Sequence, residues 1–177
     1  MNLSGIHHTG LVVSDLDRSI YFYHDVLGLP FAGEPTDWFS GEALDRGVQV
    51  PNATLRLCMF WAGPSSRLEL LQYRDLSAAM ERPHPNNTLG AGHVCLQVDD
   101  VRAAKAELEA KGVEFYSDVN VVDEGPLAGW RWVYFPDPDG LSLELVEVAY
   151  ADEAARAAAA AEYLRTRPSR SALQAAR

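Results

Sequence analysis

Two stretches of the chain repeat one hydrophobic pattern. In His8-Thr9-Gly10-Leu11-Val12-Val13 and in His93-Val94-Cys95-Leu96-Gln97-Val98, a Leu follows the His by three residues and a Val by five. An Asp follows by seven in both cases, Asp15 and Asp100. Helical spacing comes next. Leu16, Ile20, Tyr23 and Leu27 recur at three or four residues and end at Gly28; Val101, Ala104 and Leu108 do the same and end at Gly112. Such spacing paints one face of a helix, and Gly past the last turn is a stop signal. Asp15 or Ser14, and Asp99 or Asp100, are placed to cap the starts.

The two stretches also end alike. Arg67-Leu68-Glu69-Leu70-Leu71 matches Ser142-Leu143-Glu144-Leu145-Val146. Between helix and last strand, residues 54–61 in the first half and 113–116 and 130–135 in the second read as strands. Pro-Asn at 51–52, the run 63–66 and Asp137-Pro138-Asp139-Gly140 read as turns. The pattern therefore predicts an α+β fold of two tandem βαβββ modules within residues 1–150. Module one spans 4–74, a connector 75–90 and module two 91–149. A short helix is expected at 76–81 in the connector. The tail, 151–177, is rich in Ala and Arg, has few large apolar groups, and is expected to be helical or disordered and dispensable to the core.

The repeat carries candidate chemistry. Side chains alternate across a strand. If Thr9, Leu11 and Val13, or Val94, Leu96 and Val98, face the helix, then His8 and His93 face the other way. Glu69 and Glu144, each between two leucines, also turn away from the helix. A carboxylate there needs a partner if its face is covered. A divalent cation held by His8, Glu69, His93 and Glu144 balances the charge and leaves two octahedral positions open. The pattern alone leaves open that duplication kept these residues for the fold.

These residues sit in motifs that resemble the vicinal oxygen chelate superfamily. Ile6 to Ser19, continuing from Tyr21 to Gly28, is similar to its opening motif. So are Gly92 to Val101 and Tyr134 to Leu145, with Phe135-Pro136-Asp137-Pro138-Asp139-Gly140 inside the latter. The resemblance covers roughly residues 4–149. It implies paired βαβββ modules forming a curved mixed sheet around a metal cleft. It implies metal ligands at His8, His93 and Glu144, with Glu69 at a fourth position that is Glu or Gln in glyoxalase I and methylmalonyl-CoA epimerase. The metal it implies is Mn, Co, Ni, Zn or Fe, and its members commonly dimerise, so a homodimer is expected.

Composition narrows the partners. The net charge is −10, while residues 150–177 hold five arginines against three acids, so the acidity belongs to the body. That argues against nucleic acid, which needs a basic face. No long apolar run suggests a membrane span, and the first residues do not read as a secretory signal. Cys58 and Cys95 lie in apolar runs and read as buried reduced thiols of a cytoplasmic protein. His7 is expected to be structural or to support His8, His24 to lie at the surface, and His84 in a solvated loop. Arg67 and Arg131 are candidate anion anchors, Gln97 a candidate substrate contact, and Asp137 and Asp139 parts of a turn.

A metal with open positions next to carboxylates suits proton transfer beside a carbonyl of a chelated small molecule, with Glu69 and Glu144 as catalytic groups. That predicts an isomerase, epimerase or lyase. Two alternatives remain. An Fe(II) extradiol-type dioxygenase needs only His8, His93 and Glu144. A metal-free drug-binding protein of the bleomycin-resistance kind needs none of the four.

Overall fold

The computed structural model describes residues 5–77, 85–125 and 127–150, together with 152, 154, 155, 157, 158 and 161. His84, most of the tail and part of the expected helix at 76–81 lie outside these residues.

Module one begins with strand β1 (His8–Val12) and helix α1 (Leu16–Ile20), which continues as a π-helical turn, Tyr21–Val26. Strands β2 (Phe39–Ser40), β3 (Thr54–Trp61) and β4 (Arg67–Tyr73) follow, with helix α2 (Glu42–Val48) between β2 and β3. Module two has β5 (His93–Gln97), α3 (Val101–Ala110), β6 (Asn120–Val121), β7 (Arg131–Pro136) and β8 (Ser142–Glu147). The helix starts are capped as expected. Asp15 accepts from the Arg18 amide, and Asp100 from the amides of Arg102 and Ala103. Gly28 and Gly112 close the helical segments with positive φ, +80° and +88°, where a Cβ would be strained.

The strands form two separate four-stranded sheets, β1-β4-β3-β2 and β5-β8-β7-β6, with the same order and sense. In each, the first strand runs parallel to the last and the remaining neighbours are antiparallel. Residues 113–116 do not form the expected strand. Phe115 instead turns onto Phe135, ring centroids 4.9 Å apart, and the short strand comes later, at β6.

One core joins the modules. Tyr23, Phe60, Leu68 and Leu70 from the first share a buried cluster with Val101, Val133, Phe135 and Leu143 from the second. Burying each such side chain is worth about 1.5–3 kcal/mol. Polar contacts fasten the same seam. The turn after β7 enters module one, where buried Asp137 accepts from the Tyr23 hydroxyl (3.0 Å) and from the amides of Asp139 and Leu141. Asp139 accepts from the Ser14 amide and hydroxyl and from the Arg18 guanidinium. The aspartates of the expected turn thus lock one module to the other. Burial is the main cause that raises the Asp137 carboxyl above its ordinary range, against the hydrogen bonds that lower it.

Candidate metal-binding half-sites

Strand alternation decides where the expected ligands point. Leu68 and Leu70 are buried in the shared core, so Glu69 between them faces away from it; Leu143 and Leu145 do the same for Glu144. Register brings each Glu to its His. Gly10 lies opposite Glu69 in the parallel pair β1–β4, two residues from His8, and Cys95 lies opposite Glu144 in β5–β8, two residues from His93. His8 Nε2 is 3.5 Å from Glu69 Oε2, and His93 Nε2 is 2.9 Å from Glu144 Oε2. The pairs match in exposure, 41% and 13% for the first and 41% and 14% for the second. The duplication seen in the sequence is therefore a duplication of geometry.

The structure does not gather all four in one chain. Both pairs sit on sheet faces turned away from the shared core, and among the described residues no three His, Cys, Asp or Glu side chains are grouped to hold a metal ion. Each pair is a candidate half-site, and its donor types, an imidazole nitrogen facing a carboxylate oxygen, are ones that suit a divalent ion. Around Glu69 there is room as well: a Cβ on Gly10 would sit 3.4 Å from Glu69 Oε2, in space that the glycine leaves to the carboxylate.

The surroundings of the half-sites differ. In module one, Met59 is the β3 partner of Glu69. In module two, Tyr134 is the β7 partner of Glu144. Tyr134 and Cys95 flank Glu144 as its partners on the two neighbouring strands. Partial burial first, then the neighbouring Glu144 charge, push both the phenol and the thiol up to about 12. Both stay protonated at neutral pH. The Tyr134 hydroxyl also lies 3.4 Å from His93 Nε2. Cys95 is exposed, not buried as its apolar run suggested; its parity with His93 on an edge strand was the signal that would have found it. Cys58 is buried as expected, and burial raises its thiol to about 11.

His8 is supported from behind. Arg67 Nη1 donates to His7 Nε2 (2.7 Å), and His7 Nδ1 lies 2.8 Å from His8 Nδ1. A guanidinium cannot accept, so Arg67 is the donor to His7 Nε2, and the other ring nitrogen of His7 meets the His8 ring. Arg67 also lies over the Trp61 ring, 4.2 Å from its centroid. His7 thus serves the supporting role expected of it. Arg131, the other candidate anion anchor, is tied to Glu147 instead. His24 is half-buried rather than at the surface, its Nδ1 bonded to the Leu29 carbonyl and its ring against Phe31. Gln97, with Cys95, lines a cleft of about 600 Å³ between the modules, walled also by Leu27, Leu29, Pro64 and Leu108. No helix among the described residues is long and apolar enough to cross a membrane.

Comparison with known proteins places this geometry. The chain is 35% identical over 145 residues to a 2-epi-5-epi-valiolone epimerase of Actinomyces sp, covering 81% of this chain and 79% of that one. It is 32% identical over 158 residues to the lactoylglutathione lyase of Pseudomonas aeruginosa, covering 85% and 86%. Among solved structures, a glyoxalase family protein from Bacillus cereus superposes with a TM-score of 0.71 at 25% identity, over 85% of this chain and 97% of the other. The profile of the Glyoxalase/Bleomycin resistance protein/Dioxygenase superfamily matches residues 5–145, and the chain belongs to that superfamily.

Proposed function

We propose that this protein is a divalent-metal-dependent enzyme that moves a proton at a carbon beside a carbonyl, in a small molecule chelated through adjacent oxygens. The observation that carries this reading is the second carboxylate. Each half-site presents one Glu next to one His, in equivalent register. Ring cleavage with iron requires two His and one carboxylate, so Glu69 has no task there. Proton transfer uses both Glu, one to take the proton and one across the substrate carbon. An epimerase and a lyase among the relatives support the same class.

His8, Glu69, His93 and Glu144 would hold the ion. A bound divalent cation supplies Lewis acidity toward charge developing on the chelated carbonyl oxygen. Glu69 and Glu144 orient against the substrate carbon from two modules, and His7 holds the His8 ring in place. The half-sites of one chain face apart, so the reading includes a homodimer in which module one of one copy meets module two of the other. The free edges of β1 and β5, which carry His8 and His93, support this, because an unpaired strand edge is a surface for another chain. Val12, on the free edge of β1, is 53% exposed.

Deuterium uptake from heavy water tests the reaction, with 2-substituted acyl thioesters, hemithioacetals and ketosugars as candidate substrates. Metal-loaded protein should exchange one carbon-bound proton without consuming oxygen. Glu69→Gln should retain metal, since an amide oxygen still coordinates, and lose the exchange. Stoichiometric oxygen consumption with a catechol and Fe(II) would replace this reading with the dioxygenase one.

A further inference from the structure

The two modules repeat their His and their Glu but not the residue beside them. Arg67 opens β4 and has His8 as its partner on β1 and Trp61 as its partner on β3. The equivalent residue of module two is Ser142, whose partners are His93 and Pro136 and whose hydroxyl donates to Asn86 Oδ1. Module one therefore holds a cation beside its His where module two holds a small neutral group. The cation is fixed in place. Its guanidinium lies 4.2 Å from the centroid of the Trp61 ring, and Nη1 donates to His7 Nε2 at 2.7 Å. Arg18, Arg46, Arg56 and Arg131 each have a carboxylate partner; among the described residues Arg67 has none. A guanidinium can offer a carboxylate or a phosphate two parallel N–H bonds along one edge. With Nη1 engaged by His7, the edge formed by Nε and Nη2 is the one left for such a group. Alternation puts Arg67 on the same face as Glu69, about 7 Å away along the strand. Around them that face is apolar, with Leu57, Met59 and Leu71 half-buried.

We infer that Arg67 is a specificity-determining residue that pairs with a carboxylate or phosphate of the chelated substrate, so that the substrate is a small molecule with a negative charge a few bonds from its chelating oxygens. The chain carries a net charge of −10, so its overall field repels such a molecule and the attraction has to be local. Stacking on the Trp61 ring holds the guanidinium plane before the substrate arrives, which lowers the cost of ordering it on binding. The inference deepens the function proposed above and rests on its reading that the His–Glu pairs hold a divalent ion.

Calorimetric titration of the Zn²⁺-loaded full-length chain with three hydroxamates tests it. A hydroxamate chelates a metal through two adjacent oxygens. Butyrohydroxamate is uncharged beyond that group. The monohydroxamate of succinic acid carries a carboxylate in place of its methyl, and 3-phosphonopropionohydroxamate carries a phosphonate. At least one anionic probe should bind about 10–100-fold more tightly than butyrohydroxamate, as hydrogen bonds between charged groups do, and the tighter of the two separates a carboxylate substrate from a phosphate one. In Arg67→Gln the preference should fall below about 3-fold. Arg67→Lys keeps the charge and loses the paired edge, so it should keep only part of the preference. Equal affinity of the wild-type chain for all three probes would overturn the inference and leave the metal reading intact. So would a preference that survives in Arg67→Gln. Loss of all three probes by the same factor in Arg67→Gln would also overturn it, because Arg67 would then serve only to hold His8 through His7. If Arg67→Gln fails to take up Zn²⁺, an undiminished preference in Arg67→Lys overturns the inference and a diminished one supports it. Failure of the wild-type chain to bind Zn²⁺, or of the loaded chain to bind any hydroxamate, would overturn the metal reading itself and this inference with it.

Discussion

Mixing two chains, each unable to bind metal, should restore binding. The perturbation is His8→Ala in one chain and His93→Ala in the other. Each half-site lies on a sheet face turned away from the core that the two modules share. A site composed of His8 and Glu69 from one copy and His93 and Glu144 from another therefore draws on two chains. Each homogeneous variant should lose stoichiometric metal and retain its circular dichroism spectrum. In a dimer of the two variants, one site lacks both His residues and the other lacks neither. After unfolding and refolding an equal mixture, about half of the dimers are mixed, and metal should return to about a quarter of the wild-type content per chain. Elemental analysis after gel filtration reads that figure directly. Refolded mixtures that hold no metal would show that the site is built within one chain. Full occupancy in either variant alone would show that the ligand set is wrong.

The remaining predictions concern the body of the fold. Asp137 has a carboxyl raised by burial, so the folded chain binds its proton more tightly than the unfolded chain does. Its contribution to stability is full in acid and falls as pH rises through the folded value; Asp137→Asn should flatten that part of the melting-temperature profile from acid to neutral pH. Tyr23→Phe, which leaves buried Asp137 without its hydroxyl donor, should cost about 1.5–3 kcal/mol in urea unfolding. Leu70→Ala in the fully buried core should cost about 2–5 kcal/mol by the same measurement. Removal of residues 152–177 should leave metal content unchanged and the melting temperature nearly so; a large drop would show that the tail docks on the body.

The sequence exposes what strand and helix periods record and hides what they do not. The leucines flanking Glu69 and Glu144 announced both the strands and the outward turn of the carboxylates, because one period governs both. Gly28 and Gly112 marked the helix ends because only glycine takes positive φ without strain. Helix α2 left no such mark: it buries no residue, so it shows no apolar stripe. Residues 113–116 mimic a strand because Val113 and Phe115 are apolar for another reason, packing of one loop on the core. The outward turn of His8, Glu69, His93 and Glu144 was legible, and their division into two separate His–Glu pairs was not. Alternation says which residues share a face of a strand; it is silent on which faces of two sheets meet. Tyr134 meets Glu144 across the ladder, ten residues away in the chain, a pairing that alternation within one strand does not reveal.

The shared core has a consequence for cutting the chain. Phe60 and Phe135, Leu70 and Leu145 belong to one buried cluster although they come from opposite halves of the sequence. Neither half covers its own apolar face, and Tyr23 needs Asp137 as Asp139 needs Arg18. The peptide link between the modules is thus not what holds them. Two fragments divided between residues 77 and 85 and produced together should assemble as a complementing pair, while either fragment alone should aggregate through the surface meant for the other.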